Sequence, residues 1–213
     1  MPRVALKSPI LCLVTDRTAC AGRPLHSVVA VAVAAGVRLV QLREKDLSAR
    51  ELLGTGERLL EPVHEGGGLL VVNDRLDVAL ALGADGVHLG SNSLPVEVAR
   101  RVVGDRMLIG VSVHAVEEAV RAEREGADYL FLGTIFETRS HPGTPPAGVE
   151  LISRVTAAVR LPVVAIGGIN STNAGSVMSA GASGAAVITA IQSAPDVEAA
   201  TRALWGAMIS ATQ

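Results

Sequence analysis

Residues 81–90 read ALGADGVHLG, and this stretch decides the fold. A helix-like segment ends at Gly83, and a short apolar strand begins at Gly86. Glycine just past a helix end takes the left-handed conformation that closes the last turn. The same pattern recurs at three other places, Ala35-Gly36-Val37, Glu125-Gly126-Ala127-Asp128 and Ala180-Gly181-Ala182-Ser183-Gly184. These four loops predict a chain in which helices and strands alternate.

Short apolar runs followed by polar or glycine-rich turns predict eight strands. They cover residues 10–15, 39–43, 69–73, 86–89, 108–112, 129–132, 163–166 and 185–188. Helical stretches lie between them; one opens with the capping box Ser48-x-x-Glu51, and Pro95 is expected at the first position of another. No GxGxxG follows the first strand, so eight units favour a closed (β/α)₈ TIM barrel over an open doubly wound sheet. We expect residues 1–213 to form a single α/β domain of this kind.

Composition limits the classes of function. Apolar residues make up 49% of the chain and aromatic residues only 2%, so the core must consist of Ala, Val, Leu and Ile. A net charge of −2 gives no field to attract nucleic acid or an anionic membrane. Cys12 and Cys20 have no metal-binding spacing, and we find neither a membrane span nor a signal peptide. These features predict a cytoplasmic enzyme with a small-molecule substrate, and they leave a homo-oligomer open.

The ends of the last two strands predict a phosphate site. Strand 7 runs into Gly167 and Gly168, where backbone N–H groups can approach an anion closely. Strand 8 ends at Ile188 and Thr189, where a short helix can present further N–H groups to the same anion. A side chain at Gly168 is expected to crowd this anion; the alternative is a plain tight turn.

Polar side chains also follow strands 2 and 3. Strand alternation places Gln41, Arg43 and Lys45 on one face, and buried cations need an anionic partner such as a ligand phosphate. The alternative is a solvated strand end. Asn73 and Asp74 follow strand 3, where they either cap the next helix or provide a carboxylate for Mg²⁺.

Histidines and a long loop follow strands 4 to 6. His114 lies at the exit of strand 5, where it can act as a general acid or base, cap a helix or support another residue. His88 lies inside strand 4 and is expected to be packed in the core. The loop 133–148 is long for a compact barrel, which is typical of a functional loop. The alternative is a flexible surface loop with no role in ligand binding.

Together these stretches resemble the thiamin phosphate synthase/TenI family. The resemblance begins at residues 13–17 and is carried in order by Gln-x-Arg-Glu-Lys, Val-Asn-Asp, His-Leu-Gly, Gly-Val-Ser-Val-His, the Phe-x-Thr-x-Ser loop and Gly-Gly-Ile. It implies a TIM barrel, a thiazole phosphate ligand and a role in thiamin biosynthesis. The substrate-binding residues that we expect are Gln41, Arg43, Lys45, Asn73, Ser112, Thr138, Ser140, His141, Gly167, Gly168, Ile188 and Thr189.

The family has two main activities. The synthase joins hydroxymethylpyrimidine diphosphate to thiazole phosphate and releases pyrophosphate with help from Mg²⁺, whereas TenI proteins move a proton between tautomers of a thiazole carboxylate phosphate. This chain has Ser93 where the synthase has a second Mg²⁺-binding Asp, and His141 where the synthase has a Lys. We therefore expect a TenI-like thiazole tautomerase without a cofactor, with His114 as the catalytic proton carrier. The alternatives are a synthase with Mg²⁺ at Asp74 and a non-catalytic, phosphate-binding regulatory protein.

Overall fold

Eight parallel strands form a closed barrel in the computed structural model, which describes residues 6–138, 143 and 145–211. The strands are β1 Ile10–Val14, β2 Leu39–Leu42, β3 Leu69–Asn73, β4 Gly86–Leu89, β5 Leu108–Val113, β6 Tyr129–Leu132, β7 Val163–Ile166 and β8 Gly184–Val187. Neighbours along the chain pair with each other, and β8 pairs with β1 to close the barrel. The predicted TIM barrel is confirmed.

The described residues form nine α-helices, and all but one of them cover the outside of the barrel. They are α1 Leu25–Ala35, α2 Ala49–Glu65, α3 Leu76–Leu82, α4 Val96–Val103, α5 Val116–Arg124, α6 Glu150–Ala158, α7 Ala174–Ser179, α8 Thr189–Gln192 and α9 Val197–Ser210. The exception is the short α8, which lies at the mouth of a cavity at the carboxyl ends of the strands. The predicted capping box is present at the start of α2, where the Ser48 amide donates to the Glu51 carboxylate at 2.9 Å. Pro95 immediately precedes α4 rather than occupying its first position, because its ψ of 146° is extended rather than helical.

The apolar side chains form an inner and an outer core. Ile10, Cys12 and Val14 of β1 point into the barrel, whereas Leu11 and Leu13 pack against the surrounding helices. This alternation follows from the period of two along a strand. Both cysteines are buried and free. In the described part of the chain, no helix is long and apolar enough to cross a membrane.

Aspartates of the repeated glycine loops hold the amino-terminal ends of the strands. Asp85 accepts hydrogen bonds from the Leu70 amide at 2.7 Å and from His64 at 2.8 Å. Asp128 accepts in the same way from the Ile109 amide at 2.7 Å. The repeat is therefore structural and lies at the end of the barrel opposite the carboxyl ends of the strands.

Candidate active site

A cavity of about 280 Å³ opens where the carboxyl ends of the strands meet. Its apolar lining comes from the inner core and includes Val14, Phe131, Ile166 and Ala186. Its polar and glycine lining includes most residues that the sequence singles out, namely Gln41, Arg43, Lys45, Asn73, Asp74, Ser112, His114, Thr138, Gly167, Gly168, Ile188 and Thr189. Ser140 and His141 lie outside the described residues.

The end of β2 supplies the cations of the cavity. Arg43 and Lys45 line the cavity. The side chain of Leu42, at the end of β2, packs in the outer core between the strands and the helices. The buried Thr15 hydroxyl accepts a hydrogen bond from the Arg43 amide at 2.9 Å, which fixes the backbone here. Among the described residues, no carboxylate lies within ion-pairing distance of either cation. Both charges are therefore available to an anionic ligand.

The intervening Glu44 has a structural partner that sequence reasoning missed. Its carboxylate, on a residue 6% exposed, accepts hydrogen bonds from the Arg17 amide at 3.0 and 3.1 Å. The Arg17 guanidinium also donates to Asp46 at 2.6 and 2.5 Å, and this bond lowers the pKa of the Asp46 carboxyl to about 2. This network ties the loop after β1 to the loop after β2.

Asp74 is the centre of a hydrogen-bond network between the ends of β3 and β4. Its backbone takes a left-handed φ of 59°, a conformation that Asp and Asn tolerate better than most residues. One carboxylate oxygen accepts from the Gly90 amide at 3.0 Å and from the Ser93 hydroxyl. The other accepts from the Asn73 amide group at 2.8 Å.

Neither Asn73 nor Asp74 caps the helix α3 with its side chain. The residue preceding α3 is Arg75, and no side chain makes a capping hydrogen bond there. Asn73 in turn accepts a hydrogen bond from the buried Gln41 side chain at 3.3 Å. Side chains of β2 and β3 are thus connected to the carboxylate at the cavity wall.

His114 connects the exit of β5 to the loop after β6. Its Nδ1 donates to the Gly133 carbonyl oxygen, so the proton of a neutral ring lies on Nδ1. Its backbone amide donates to Glu118 at 2.7 Å. The residue does not cap α5, whose preceding residue is Ala115.

His88 is buried, as expected, but it contacts a residue of the cavity. Its Nε2 lies 2.9 Å from the Ser112 hydroxyl, and its Nδ1 lies 3.2 Å from the Tyr129 hydroxyl. Burial is the main cause that lowers the pKa of His88 to about 3, so the ring is neutral near pH 7. The sequence signal for this link is the period of two that places Ser112 on the inner face of β5.

The loop after β7 has backbone amides that donate to no other described residue. Gly167 and Gly168 have φ values of 104° and 64°, a region that favours glycine. The Gly168 carbonyl accepts from Asn173 at 3.0 Å, which fixes the loop. No described residue accepts a hydrogen bond from the amides of Gly168 and Ile169, and both residues line the cavity. The short helix α8 begins at the neighbouring Thr189.

Fold and cavity define a TIM barrel with a polar site at the carboxyl ends of its strands. The chain belongs to the thiamine monophosphate synthase (TMP-TENI) family, which matches residues 11–191. The thiamine-phosphate synthase of Roseiflexus sp. (strain RS-1) is 48% identical over 95% of this chain and 86% of its own length. That of Moorella thermoacetica is 47% identical over 86% of this chain and 88% of its own length. The solved structure of thiamine phosphate pyrophosphorylase from Pyrococcus furiosus has a TM-score of 0.88 and 39% identity, covering 96% and 97% of the two chains.

The expectation of a TenI-like tautomerase is wrong. Relatives that are 42% to 48% identical over most of this chain are named thiamine-phosphate synthase. The expectation gave too much weight to Ser93 in place of a carboxylate. Mg²⁺ is commonly held by only one or two carboxylates together with substrate phosphates, so one missing carboxylate does not exclude the synthase.

Proposed function

We propose that this protein is a thiamine-phosphate synthase, which joins hydroxymethylpyrimidine diphosphate to thiazole phosphate and releases pyrophosphate. The observation that carries the proposal is a cavity with two separate sets of anion-binding groups. One set is the cation pair Arg43 and Lys45 after β2, and the other is the amides of Gly168 and Ile169 after β7, which donate to no described residue. Two phosphorylated substrates need two such sets.

We assign the cations Arg43 and Lys45 to the diphosphate of the pyrimidine substrate. Release of pyrophosphate builds negative charge on the leaving group, and fixed positive groups stabilise that charge in the transition state. Arg43 suits this task because its guanidinium can bind two phosphate oxygens at once. Asn73 and Ser112, which line the cavity on β3 and β5, are assigned to binding the same substrate.

We assign the loop after β7, which contains Gly167 and Gly168, to the phosphate of the thiazole substrate. Backbone amides bind a phosphate without a charged side chain and hold it in one place. We assign five residues that line the cavity to this phosphate, namely Thr138, Gly167, Gly168, Ile188 and Thr189. His114 is assigned a positioning role, because its Nδ1 holds the Gly133 carbonyl at the start of the loop after β6.

The residues present fit a magnesium ion that is shared with the substrate. No group of three or more His, Cys, Asp and Glu side chains in the described ranges could hold a metal. Asp74 nevertheless offers one anchored carboxylate beside the cations, and diphosphate oxygens are the usual further ligands. When bound, Mg²⁺ would neutralise charge on the leaving pyrophosphate. Asn73 and Ser93 hold the Asp74 carboxylate in place for this purpose.

The decisive experiment mixes the purified protein with hydroxymethylpyrimidine diphosphate, thiazole phosphate and Mg²⁺. We expect equal amounts of thiamine phosphate and pyrophosphate, and no product when EDTA is present. Asp74→Asn removes the charge but suits the left-handed backbone, so it should slow the reaction and raise the Mg²⁺ concentration required.

Two results would count against the proposal. One is a folded protein that binds both substrates and forms no thiamine phosphate in Mg²⁺. The other is an Asp74→Asn variant with the same Mg²⁺ dependence as the unmodified protein, which would remove the metal from Asp74 while leaving the reaction itself in place.

A further inference from the structure

Three side chains form a line of hydrogen bonds from the barrel interior to the cavity. The Tyr129 hydroxyl on β6 lies 3.2 Å from His88 Nδ1 on β4, and His88 Nε2 lies 2.9 Å from the Ser112 hydroxyl on β5. Tyr129 and His88 are 0% and 1% exposed, whereas Ser112 lines the cavity. The line therefore connects two fully buried groups to a residue within reach of a ligand.

A glycine in the strand between them makes this line possible. Gly110 of β5 pairs with His88 on one side and with Tyr129 on the other. A Cβ atom at this position would lie 2.1 Å from Tyr129 Cζ and 2.5 Å from His88 Nδ1. Because Gly110 has no side chain, the His88 side chain of β4 and the Tyr129 side chain of β6 have room to meet across β5.

We infer that Tyr129 and His88 are positioning residues that fix the Ser112 hydroxyl as a hydrogen-bond donor into the cavity. A neutral imidazole has one nitrogen that donates and one that accepts. If Tyr129 donates to Nδ1, the ring proton lies on Nε2 and is donated to the Ser112 oxygen. The Ser112 proton is then free for an acceptor on the substrate, such as a phosphate oxygen or a ring nitrogen.

The opposite direction of donation along these hydrogen bonds is disfavoured because it leaves a buried donor without an acceptor. With the proton on Nδ1, the Tyr129 oxygen would accept it, and the phenol proton would need another partner. Across the described residues, His88 is the hydrogen-bond partner of this hydroxyl. A buried donor without a partner keeps the full cost of its lost hydration. When Tyr129 donates to Nδ1 and Nε2 donates to Ser112, both buried donors of the line have an acceptor.

The tautomer of His88 is the first test, and it uses the ligand-free protein. Nitrogen–proton correlation spectra of ¹⁵N-histidine-labelled protein distinguish Nε2–H from Nδ1–H, and a His88→Gln variant assigns the signal. We expect Nε2–H in the unmodified protein and in Ser112→Ala, because Tyr129 sets the tautomer. Tyr129→Phe should lose this preference. An Nδ1–H tautomer in the unmodified protein would overturn the inference.

Kinetics of condensation form the second test, and this part rests on the proposed function. Tyr129→Phe should lower kcat/KM by roughly 3- to 10-fold and Ser112→Ala by roughly 10- to 100-fold, as for loss of a neutral and of a charge-assisted hydrogen bond. The double variant should be no slower than Ser112→Ala, since Tyr129 acts through Ser112. Fully additive losses would overturn the inference.

A matched control separates positioning from stability. Thr201→Val in α9 also removes a buried hydroxyl, which donates to the Val197 carbonyl at 2.7 Å, and neither residue lines the cavity. It should leave kcat/KM unchanged, and a loss as large as that of Tyr129→Phe would contradict the assignment. A protein with the Nε2–H tautomer that forms no thiamine phosphate would refute the proposed function alone.

Discussion

Replacement of Gly168 by Ala tests the loop that we assign to the thiazole phosphate. The Cβ atom of alanine would lie 2.4 Å from the Glu137 carbonyl oxygen and 2.8 Å from Phe136 Cβ. These distances are too short for any real contact, so the loop after β6 would have to move. The sequence predicts that a side chain here crowds the anion, and the structure adds that it crowds the neighbouring backbone first.

The cost of this change has two parts. An L-residue at the Gly168 φ of 64° pays roughly 1–2 kcal/mol for the left-handed conformation. Overpacking of a well-filled site adds about 1–3 kcal/mol. Gly83 provides a matched control, because its φ is 67° and a Cβ atom there would have nothing within 4 Å. Gly83→Ala should therefore lose stability through the left-handed conformation alone, without any loss from overpacking.

Urea unfolding of both variants and substrate kinetics measure the two consequences. We expect Gly168→Ala to lose about 1–3 kcal/mol more of its free energy of unfolding than Gly83→Ala. We also expect it to raise the KM for thiazole phosphate while changing the KM for the pyrimidine diphosphate less. Equal losses of stability in the two variants, together with an unchanged KM for thiazole phosphate, would refute the reasoning.

Two further predictions concern charge. Arg43→Ala should cost about 2–4 kcal/mol of transition-state stabilisation in kcat/KM, as for removal of an electrostatic stabiliser. The control is Arg202→Ala, which breaks an exposed ion pair with Glu198 and should leave kcat/KM almost unchanged. Equal kinetics of the two variants would exclude Arg43 from the site. Burial lowers the pKa of His88 from 6.5 to about 3, so the unfolded chain takes up this proton first as the pH falls. The contribution of His88 to the free energy of unfolding is therefore full above pH 6.5 and falls by about 1.4 kcal/mol per pH unit towards pH 3. Urea unfolding at pH 7 and pH 5 should show a larger loss in the unmodified protein than in His88→Gln, and equal losses would contradict this pKa.

Local patterns in the sequence were sufficient to predict the barrel. The four glycine-marked loops and the short apolar runs predict the strands, whose observed bounds differ by one residue at most. Alternation along a strand likewise placed Gln41, Arg43 and Lys45 on the face that lines the cavity. These features follow from the sequence because a period of two and a helix-ending glycine act within a few neighbouring residues.

The choice between the two activities of the family did not follow from local sequence patterns. A serine in place of a carboxylate suggested a reaction without metal, whereas the relatives over most of the chain are named thiamine-phosphate synthase. A single position does not decide the reaction, because Mg²⁺ takes many of its ligands from substrate phosphates rather than from the protein.

Contacts between strands were decided by the tertiary structure. The hydrogen bonds of Ser93 and Gly90 to Asp74 depend on how the ends of β3 and β4 meet. The line from Tyr129 through His88 exists because the register places Gly110 between them. Register in a barrel depends on the tilt and stagger with which all eight strands close, and no local segment of sequence contains that information.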